Sequence, residues 1–161
     1  MKLSVIYHSV SGNTKRIAEF ISEGAQAVEG TEVQTMSIGR IDEEFVQQSN
    51  AVIIGFPTYN GSCSWNIKKW IDTIKIDLAG KLGAVFVTEN YLGGGADFAE
   101  IVIIGALLVH GMLIYSAGGS RGQPFTHFGP VNIKDGDDFQ QNRSKLFGSR
   151  IALKAIELWG I

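Results

Sequence analysis

The sequence predicts an α/β protein in which helices cover both faces of a parallel β-sheet. Short apolar runs alternate with amphipathic segments along all 161 residues, and this alternation is typical of such sheets. Four runs are apolar almost throughout, at residues 3–7, 51–56, 84–87 and 112–115, as strands buried on both faces must be. The chain has the length of one domain with one core, so we expect a single domain over residues 1–161.

A fifth strand is expected at one edge of the sheet. Residues 31–38 favour β-structure but are half polar, which suits a strand with one less covered face. Between the first strand and this one, apolar residues recur at helical spacing, at Ile17, Ile21, Ala25 and Val28. Asn13 or Thr14 is expected to begin that helix by capping its free amides.

Three more helices are expected after the third strand. Two are marked by apolar residues on one helical face, which are Ile67, Trp70, Ile71 and Ile74 in one and Phe147, Ile151, Ala155 and Trp159 in the other. Another runs from about residue 96 to residue 110. Strands and helices in strict alternation imply right-handed crossovers and an open, doubly wound sheet.

The helix over residues 96–110 is apolar on more than one face. The residues expected to face the sheet are Phe98, Ile101, Val102, Gly105 and Val109, whereas Ile103 and Leu107 point the opposite way. A helix that is apolar all round is usually buried on more than one side. We therefore expect a homo-oligomer, either a dimer or a tetramer. The alternative is a long loop that folds over the second face.

Charge and composition exclude several classes of function. The 14 basic and 16 acidic residues leave a net charge of −2, so the chain offers no basic field for a nucleic acid. The most apolar stretch, residues 101–109, is shorter than the ~18 residues that a membrane span needs. Cys63 is the only cysteine, so no internal disulfide can form and a cytoplasmic location is expected.

The loops after the first, third and fourth strands are rich in glycine and hydroxyl residues, and parallel sheets bind ligands at this edge. The first loop is Ser9-Val10-Ser11-Gly12-Asn13-Thr14. Its hydroxyls and amides would converge on a helix amino terminus, which attracts an anion. The loop lacks the lysine of a triphosphate site and the spacing of a dinucleotide site, so one phosphate fits best. The alternative is an ordinary capped helix.

The motif Ser9-x-Ser11-Gly12-Asn13-Thr14-x-x-x-Ala18, directly after the first strand, resembles the FMN-phosphate loop of the flavodoxin superfamily. Ser11 stands where that family usually has threonine, and the hydroxyl is kept. The resemblance implies a flavodoxin-like fold, with a doubly wound, five-stranded parallel sheet of order 2-1-3-4-5 and one bound FMN.

The second loop supplies the cofactor-binding candidates Pro57, Thr58, Tyr59, Asn60 and Gly61. The pair Asn60-Gly61 allows the positive φ angles of a tight turn, so backbone groups can approach a flat ligand. Tyr59 either stacks on the ring or covers the end of the sheet. The run Gly-x-Pro-Thr-Tyr is similar to the second flavin loop of the WrbA-type NAD(P)H:quinone oxidoreductases. Those enzymes commonly carry a basic residue where Tyr59 stands, so its contact is expected to be absent.

The third loop supplies the candidates Thr88, Glu89, Asn90, Tyr91, Gly93, Gly94 and Gly95. Consecutive glycines expose backbone amides and permit close contact, as the pyrimidine edge of a flavin would require. The alternative is a plain hinge. The glycine run and the later run His110-Gly111-Met112 resemble the same reductase group, which implies that His110 lies near the flavin, across a subunit boundary. The compatible alternative is that His110 and Gly111 cap the helix.

Residues 117–138 form a long segment with five glycines, two prolines and no clear periodicity, and such segments are often functional. Phe125, His127 and Phe128 are expected to wall a substrate pocket above the flavin, where a nicotinamide or a quinone would stack. Arg121 is expected to meet a nucleotide phosphate.

Two functions compete on this evidence. One is a reductase in which flavin N5 accepts hydride from NAD(P)H and passes electrons to a quinone, and the other is a flavodoxin that carries single electrons between proteins. A low-potential carrier gains from acidic groups near the flavin, yet the second loop has none and the third has only Glu89. The sparse charges favour the reductase, in which the flavin carries the chemistry.

Overall fold

A parallel β-sheet forms the centre of the computed structural model, which describes residues 1–160. Its strands are β1 (Lys2–Tyr7), β2 (Glu32–Ser37), β3 (Ala51–Tyr59), β4 (Ser62–Cys63), β5 (Leu82–Glu89), β6 (Leu113–Ile114) and β7 (Val131–Ile133). The main order is β2-β1-β3-β5-β6, which confirms the predicted order 2-1-3-4-5. Two short strands add to it, because β4 pairs antiparallel with β3 and β7 pairs parallel with the carboxyl end of β5.

Helices cover both faces of this sheet, as predicted. They are α1 (Asn13–Gln26), α2 (Glu43–Gln48), α3 (Trp65–Thr73), α4 (Ala96–Val109) and α5 (Asp138–Trp159). Successive residues of a strand point to opposite faces, so Ile53 packs in the core under α1 and α5 while Ile54 packs in the core under α2, α3 and α4. This division explains why β3 and β5 are apolar up to Pro57 and Val87, before the polar residues at their carboxyl ends. No helix within residues 1–160 has the length and apolar character needed to cross a bilayer.

The helices α1 and α5 touch through bare backbone. A Cβ atom on Gly24 would lie 1.8 Å from the carbonyl oxygen of Lys145, and one on Gly148 would lie 1.9 Å from the carbonyl oxygen of Ile21. Both distances are impossible for real atoms, so each helix needs a glycine at the crossing. The contact fixes α1, and with it the amino terminus that begins at the first loop.

The structure corrects the predicted cap of α1. The cap residue is Gly12, with φ 95°, and no side chain accepts a hydrogen bond from the first-turn amides. Asn13 is the first helical residue, and the hydroxyl of Thr14 instead shares a buried hydrogen bond of 2.8 Å with the hydroxyl of Thr88. The prediction was wrong because Thr14 is drawn inward by a strand that is distant in the sequence.

The predicted orientation of α4 is inverted. Its buried positions are Ala96, Ala99, Glu100, Ile103 and Leu107, whereas Phe98, Ile101, Leu108 and Val109 are exposed. Both faces are apolar, so periodicity alone could not tell which one meets the sheet. The helix does have a second apolar face, as expected, but the uncovered residues are those that were predicted to meet the sheet.

The last predicted strand and the long segment after it also differ from expectation. The apolar run at 112–115 yields only Leu113–Ile114, at an edge where Leu113 is exposed. Within the segment over 117–138, residues Val131–Ile133 form β7, which continues the sheet beside Val87, Thr88 and Glu89. A strand of three residues carries too little periodicity to be recognised in a sequence.

The crossing of α1 and α5 predicts the effect of Gly148→Ala. The added methyl group must push the helices apart, so the free energy of unfolding should fall by roughly 1–3 kcal/mol in a urea titration. The control is Gly105→Ala, because Gly105 is also inside a helix but has no atom within 4 Å of the added Cβ. There the unfolding free energy should rise by up to about 1 kcal/mol. Equal effects of the two substitutions would contradict the backbone contact.

Candidate functional site

The loops that follow β1, β3 and β5 meet at one edge of the sheet and form a groove. One cavity of the groove, of about 220 Å³, is lined by Val10, Ser11, Asn13, Thr14, Pro57, Thr58, Tyr59, Thr88, Glu89 and Asn90. The adjoining cavity, of about 380 Å³, is lined by Thr58, Tyr59, Asn60, Gly61, Glu89, Asn90, Tyr91 and Gly94. The structure therefore brings together residues from all three loops named in the sequence analysis.

The first loop presents uncapped amides to the groove. Gly12 turns the chain with a positive φ, its own amide donates to the hydroxyl of Ser9 at 3.2 Å, and α1 begins at Asn13. The first amides of a helix have no partner within the helix and carry its positive dipole. The first turn contains no acidic side chain, so nothing there opposes an anion. This arrangement is suited to a phosphate group.

The second loop is a tight hairpin turn between β3 and β4. Asn60 and Gly61 occupy the turn with φ angles of 50° and 75°, and the flanking pairs are Tyr59 with Ser62 and Thr58 with Cys63. Positive φ at both central residues is typical of the Asn-Gly hairpin. The turn holds Tyr59 at the rim of the groove.

His8 packs against Tyr59. The sequence analysis did not identify His8 as a residue of the site. Its ring meets the Tyr59 ring edge to face, with 6.3 Å between centroids, and its Nδ1 lies 2.9 Å from the hydroxyl of buried Ser64. Burial lowers the pKa of His8, so the ring is held in its neutral form at neutral pH. Its position directly before Ser9 was the only sequence signal.

Glycines of the third loop allow the loops to pack closely. A Cβ on Gly95 would lie 2.7 Å from the Cα of Gly61, and one on Gly94 would lie 2.8 Å from Oε2 of Glu89. The second and third loops thus touch backbone to backbone. The glycine run serves this contact as well as the access of a ligand.

Two polar atoms in the groove lack partners. The hydroxyl of Thr58 and Oε2 of Glu89 are buried without a hydrogen bond, although both residues line both cavities. A buried polar atom without a partner costs roughly 1–3 kcal/mol, so these atoms fit a polar ligand. The pyrimidine edge of a flavin offers an N–H donor for a carboxylate and carbonyl acceptors for a hydroxyl. The residues present therefore fit FMN.

The structure does not bring His110 to the groove of its own chain. It lies at the far end of α4, and 14 helical residues span about 21 Å. Its Nε2 lies 2.9 Å from the carbonyl oxygen of Ile71. The amide of Gly111 donates to Leu108 and that of Met112 donates to Leu107, which are the two bonds of a Schellman cap. The capping interpretation of His110-Gly111 accounts for this geometry.

The residues proposed for a substrate pocket lie apart from the groove. Phe125 and His127 line a separate depression of about 430 Å³, with Ser116, Gly119, Ser120 and Thr126. That depression and the groove have no lining residue in common. Arg121 belongs to a short 3-10 turn whose carbonyl accepts from Arg150, and Phe128 is half-buried.

A buried carboxyl group lies beneath the groove and also escaped the sequence analysis. Glu100, on the inner face of α4, is fully buried, and neither of its oxygens has a hydrogen-bond partner. Burial, and to a lesser degree the charge of Asp97, raises the pKa of Glu100 to about 8. A glutamate among the many apolar residues of α4 was the signal in the sequence.

Comparison with known proteins agrees with this geometry. The flavodoxin family matches residues 5–106. A flavodoxin of Clostridium saccharobutylicum is 42% identical over 160 residues, which cover 99% of this chain and 100% of that protein. An NAD(P)H dehydrogenase (quinone) of Geotalea daltonii is 32% identical over 71% of this chain and 70% of its own length.

Among solved structures, a WrbA-like flavodoxin from Agrobacterium tumefaciens superposes with a TM-score of 0.81. The superposition covers 97% of this chain and 98% of that one at 24% identity, so it supports the fold alone. The family match spans all three loops of the groove and most of α4. This chain belongs to the flavodoxin family, whose cofactor is FMN.

Proposed function

We propose that this chain is a single-electron carrier that holds one FMN in the groove and exchanges electrons with other redox proteins. The observation that carries the proposal is the open rim of the groove. Tyr59 and Tyr91, which border the second cavity, are both exposed. A ring bound between them keeps an edge toward solvent, where the surface of a protein partner can approach it.

The residues of the groove divide the work of binding. The amides of the first turn of α1 and the hydroxyls of Ser9 and Ser11 would hold the phosphate, and Tyr59 would flank the ring. Glu89 and Thr58 would bind the pyrimidine edge through their unpartnered atoms. FMN, when bound, supplies the redox chemistry, and the protein positions it and tunes its potential.

Similarity to the Clostridium flavodoxin, which extends over the whole of that protein, supports the same proposal. This similarity favours the carrier, whereas the sparse loop charges favoured the reductase. Phe125 and His127 were expected to wall a nicotinamide or quinone pocket. They line another depression instead. The argument for a reductase from these residues is correspondingly weaker.

A quinone reductase that uses NAD(P)H remains the second candidate. The similarity to the Geotalea enzyme and the resemblance of the second and third loops favour it. In that case NAD(P)H and a quinone would enter the open side of the groove, between Tyr59 and Tyr91.

The two candidates differ in their response to pyridine nucleotide. For the carrier, anaerobic addition of NADH or NADPH should leave the absorbance of the oxidised flavin unchanged over minutes. A potentiometric titration should then resolve two separate one-electron steps. Rapid bleaching of the flavin by either nucleotide would contradict the carrier and support the reductase.

The phosphate site predicts a selective loss of FMN affinity in Ser11→Ala. A hydrogen bond to a charged group contributes roughly 1.5–3 kcal/mol, so the affinity of the apoprotein for FMN should fall about 10- to 100-fold. Its affinity for riboflavin, which lacks the phosphate, should not change. Flavin fluorescence quenching measures both. Ser22→Ala, on α1 but paired with Thr35 outside the groove, is the control and should bind both ligands normally.

The exposed face of α4 supports the expected homo-oligomer, and its proposed occupant is a second copy of this chain. Phe98, Ile101, Leu108 and Val109 lie on this face, and Asp97 is the only charged residue of α4 that is exposed. Apolar side chains of this kind can pack against the same side chains of a second copy, as a two-fold interface requires.

Sedimentation tests this interface. The wild-type protein should sediment as a dimer or larger assembly at high micromolar concentration, and Leu108→Glu should sediment as a monomer. Leu153→Glu is the matched control, because Leu153 on α5 is 52% exposed and Leu108 is 57% exposed. The control should keep the assembly. A monomeric wild-type protein would remove the proposal.

A further inference from the structure

Glu100 occupies a position where the packing would favour an apolar side chain. The other buried residues of α4 are Ala96, Ala99, Ile103 and Leu107. Glu100 is 0% exposed, and both carboxyl oxygens lack partners. An unpartnered carboxyl group in a core is expensive to keep, and such groups in native proteins call for an explanation.

The carboxyl group of Glu100 lies in the layer between α4 and β5, beneath the groove. A Cβ on Gly129 would lie 2.7 Å from Oε1 of Glu100 and 2.0 Å from the carbonyl oxygen of Val85, so Glu100 and β5 meet at Gly129. From Val85 to Glu89 the strand advances about 13 Å. Val85, Val87 and Glu89 alternate onto the same face, and Glu89 lines the groove. Glu89 is thus the neighbour of Glu100 on the side of the cofactor.

The charged groups around Glu100 come from three elements. Asp97 precedes it by one turn on α4, Glu89 lies on β5 and Arg143 lies on α5, and all three influence its titration. The guanidinium of Arg143 donates to the carbonyl of Val131, and its Nε has no partner. Asp137 lies near Arg143 in turn. No ion pair with Glu100 forms within the described residues.

These groups leave Glu100 neutral at neutral pH. Burial and the two acidic neighbours oppose its ionisation, and the opposite influences of Arg143 and of the Gly129 amide do not offset them, so the pKa of Glu100 rises to about 8. Below that pH Glu100 adds no charge beside the groove. Above it, Glu100 adds a negative charge in a medium where charges interact strongly.

We propose that Glu100 is the buried acid that couples the redox potential of the groove to pH. The inference rests on the proposed function, because it requires FMN in the groove. An electron that a reduced partner protein delivers to the groove adds negative charge above Glu100. That charge increases the proton affinity of Glu100, so above about pH 8, where Glu100 is ionised, its carboxylate takes up one proton from solvent and becomes neutral. The ionised form of Glu100 therefore opposes reduction, and the neutral form does not.

The test is a potentiometric titration of the FMN-loaded protein at pH values on both sides of 8, with Glu100→Gln as the variant. Glutamine keeps the size of the side chain and cannot ionise. The midpoint potential of the more negative step should become more negative through this range in the wild-type protein. In Glu100→Gln that additional fall should be absent. Identical dependence on pH in both proteins would overturn the proposal.

Asp97→Asn is the matched control, since Asp97 is on the same helix turn but exposed to solvent. It removes a charge that raises the pKa of Glu100. The fall in potential should remain in this variant but begin at a lower pH. Its disappearance would mean that exposed charge, and not Glu100, causes it.

A second measurement does not involve the cofactor. Between about 4.5, the ordinary pKa of a glutamate, and 8 the folded protein holds the Glu100 proton that the unfolded chain has lost. Unfolding then releases a proton, so the free energy of unfolding of the apoprotein should decrease as pH rises through this window. This decrease in the free energy of unfolding should be smaller in Glu100→Gln and in Glu100→Met. Methionine fills about the same volume as glutamate and cannot ionise. Equal pH dependence in all three would overturn the assignment of a buried neutral acid.

The two measurements separate failure of the inference from failure of the proposed function. If the protein shows no one-electron steps, the carrier is wrong, while the stability experiment still tests the buried acid. If the steps are present but Glu100→Gln leaves their pH dependence unchanged, the coupling is wrong and the carrier stands.

Discussion

The hydrogen bond between the hydroxyls of Thr14 and Thr88 is the interaction on which the groove depends. It is buried, 2.8 Å long, and joins residues that are 74 positions apart. It ties the amino end of α1 to the carboxyl end of β5, so the first and third loops face each other at a fixed separation. Because the cap residue is Gly12, the first-turn amides of α1 have no side-chain cap and stay available to an anion. The contact of Gly61 with Gly95 closes the remaining side.

Local patterns in the sequence were sufficient for the sheet and for the three loops. Strands such as β3 and β5 are apolar over most of the length that the sheet buries, and their order follows from a resemblance carried by the first loop. Long-range contacts were beyond those patterns. Thr14 was expected to cap its own helix, α4 was expected to bury its opposite face, and β7 was too short to detect. These errors share one cause. A contact with a distant element decides each outcome, and a local pattern does not contain that information.

In the site as well, sequence patterns identified residues within single loops and missed contacts between different elements. Glu89 was visible as the only carboxylate of the third loop, whereas Glu100 is buried in a helix and lines neither cavity of the groove. Counting charges by loop therefore missed an ionisable group that lies outside the loops. His8 was missed for a similar reason, because its contacts with Tyr59 and Ser64 cross between three elements. Conversely, His110 satisfied a sequence pattern and lies at the other end of its helix.

The glycine crossing of α1 and α5 links the anion-binding end of α1 to the last element of the chain. Until α5 packs, α1 lacks the partner that it meets at Gly24, and it is held by the sheet alone. On a ribosome, α5 emerges after the sheet and after all three loops of the groove. The vitamin-derived cofactor would therefore meet a finished phosphate cradle only once synthesis has passed α5.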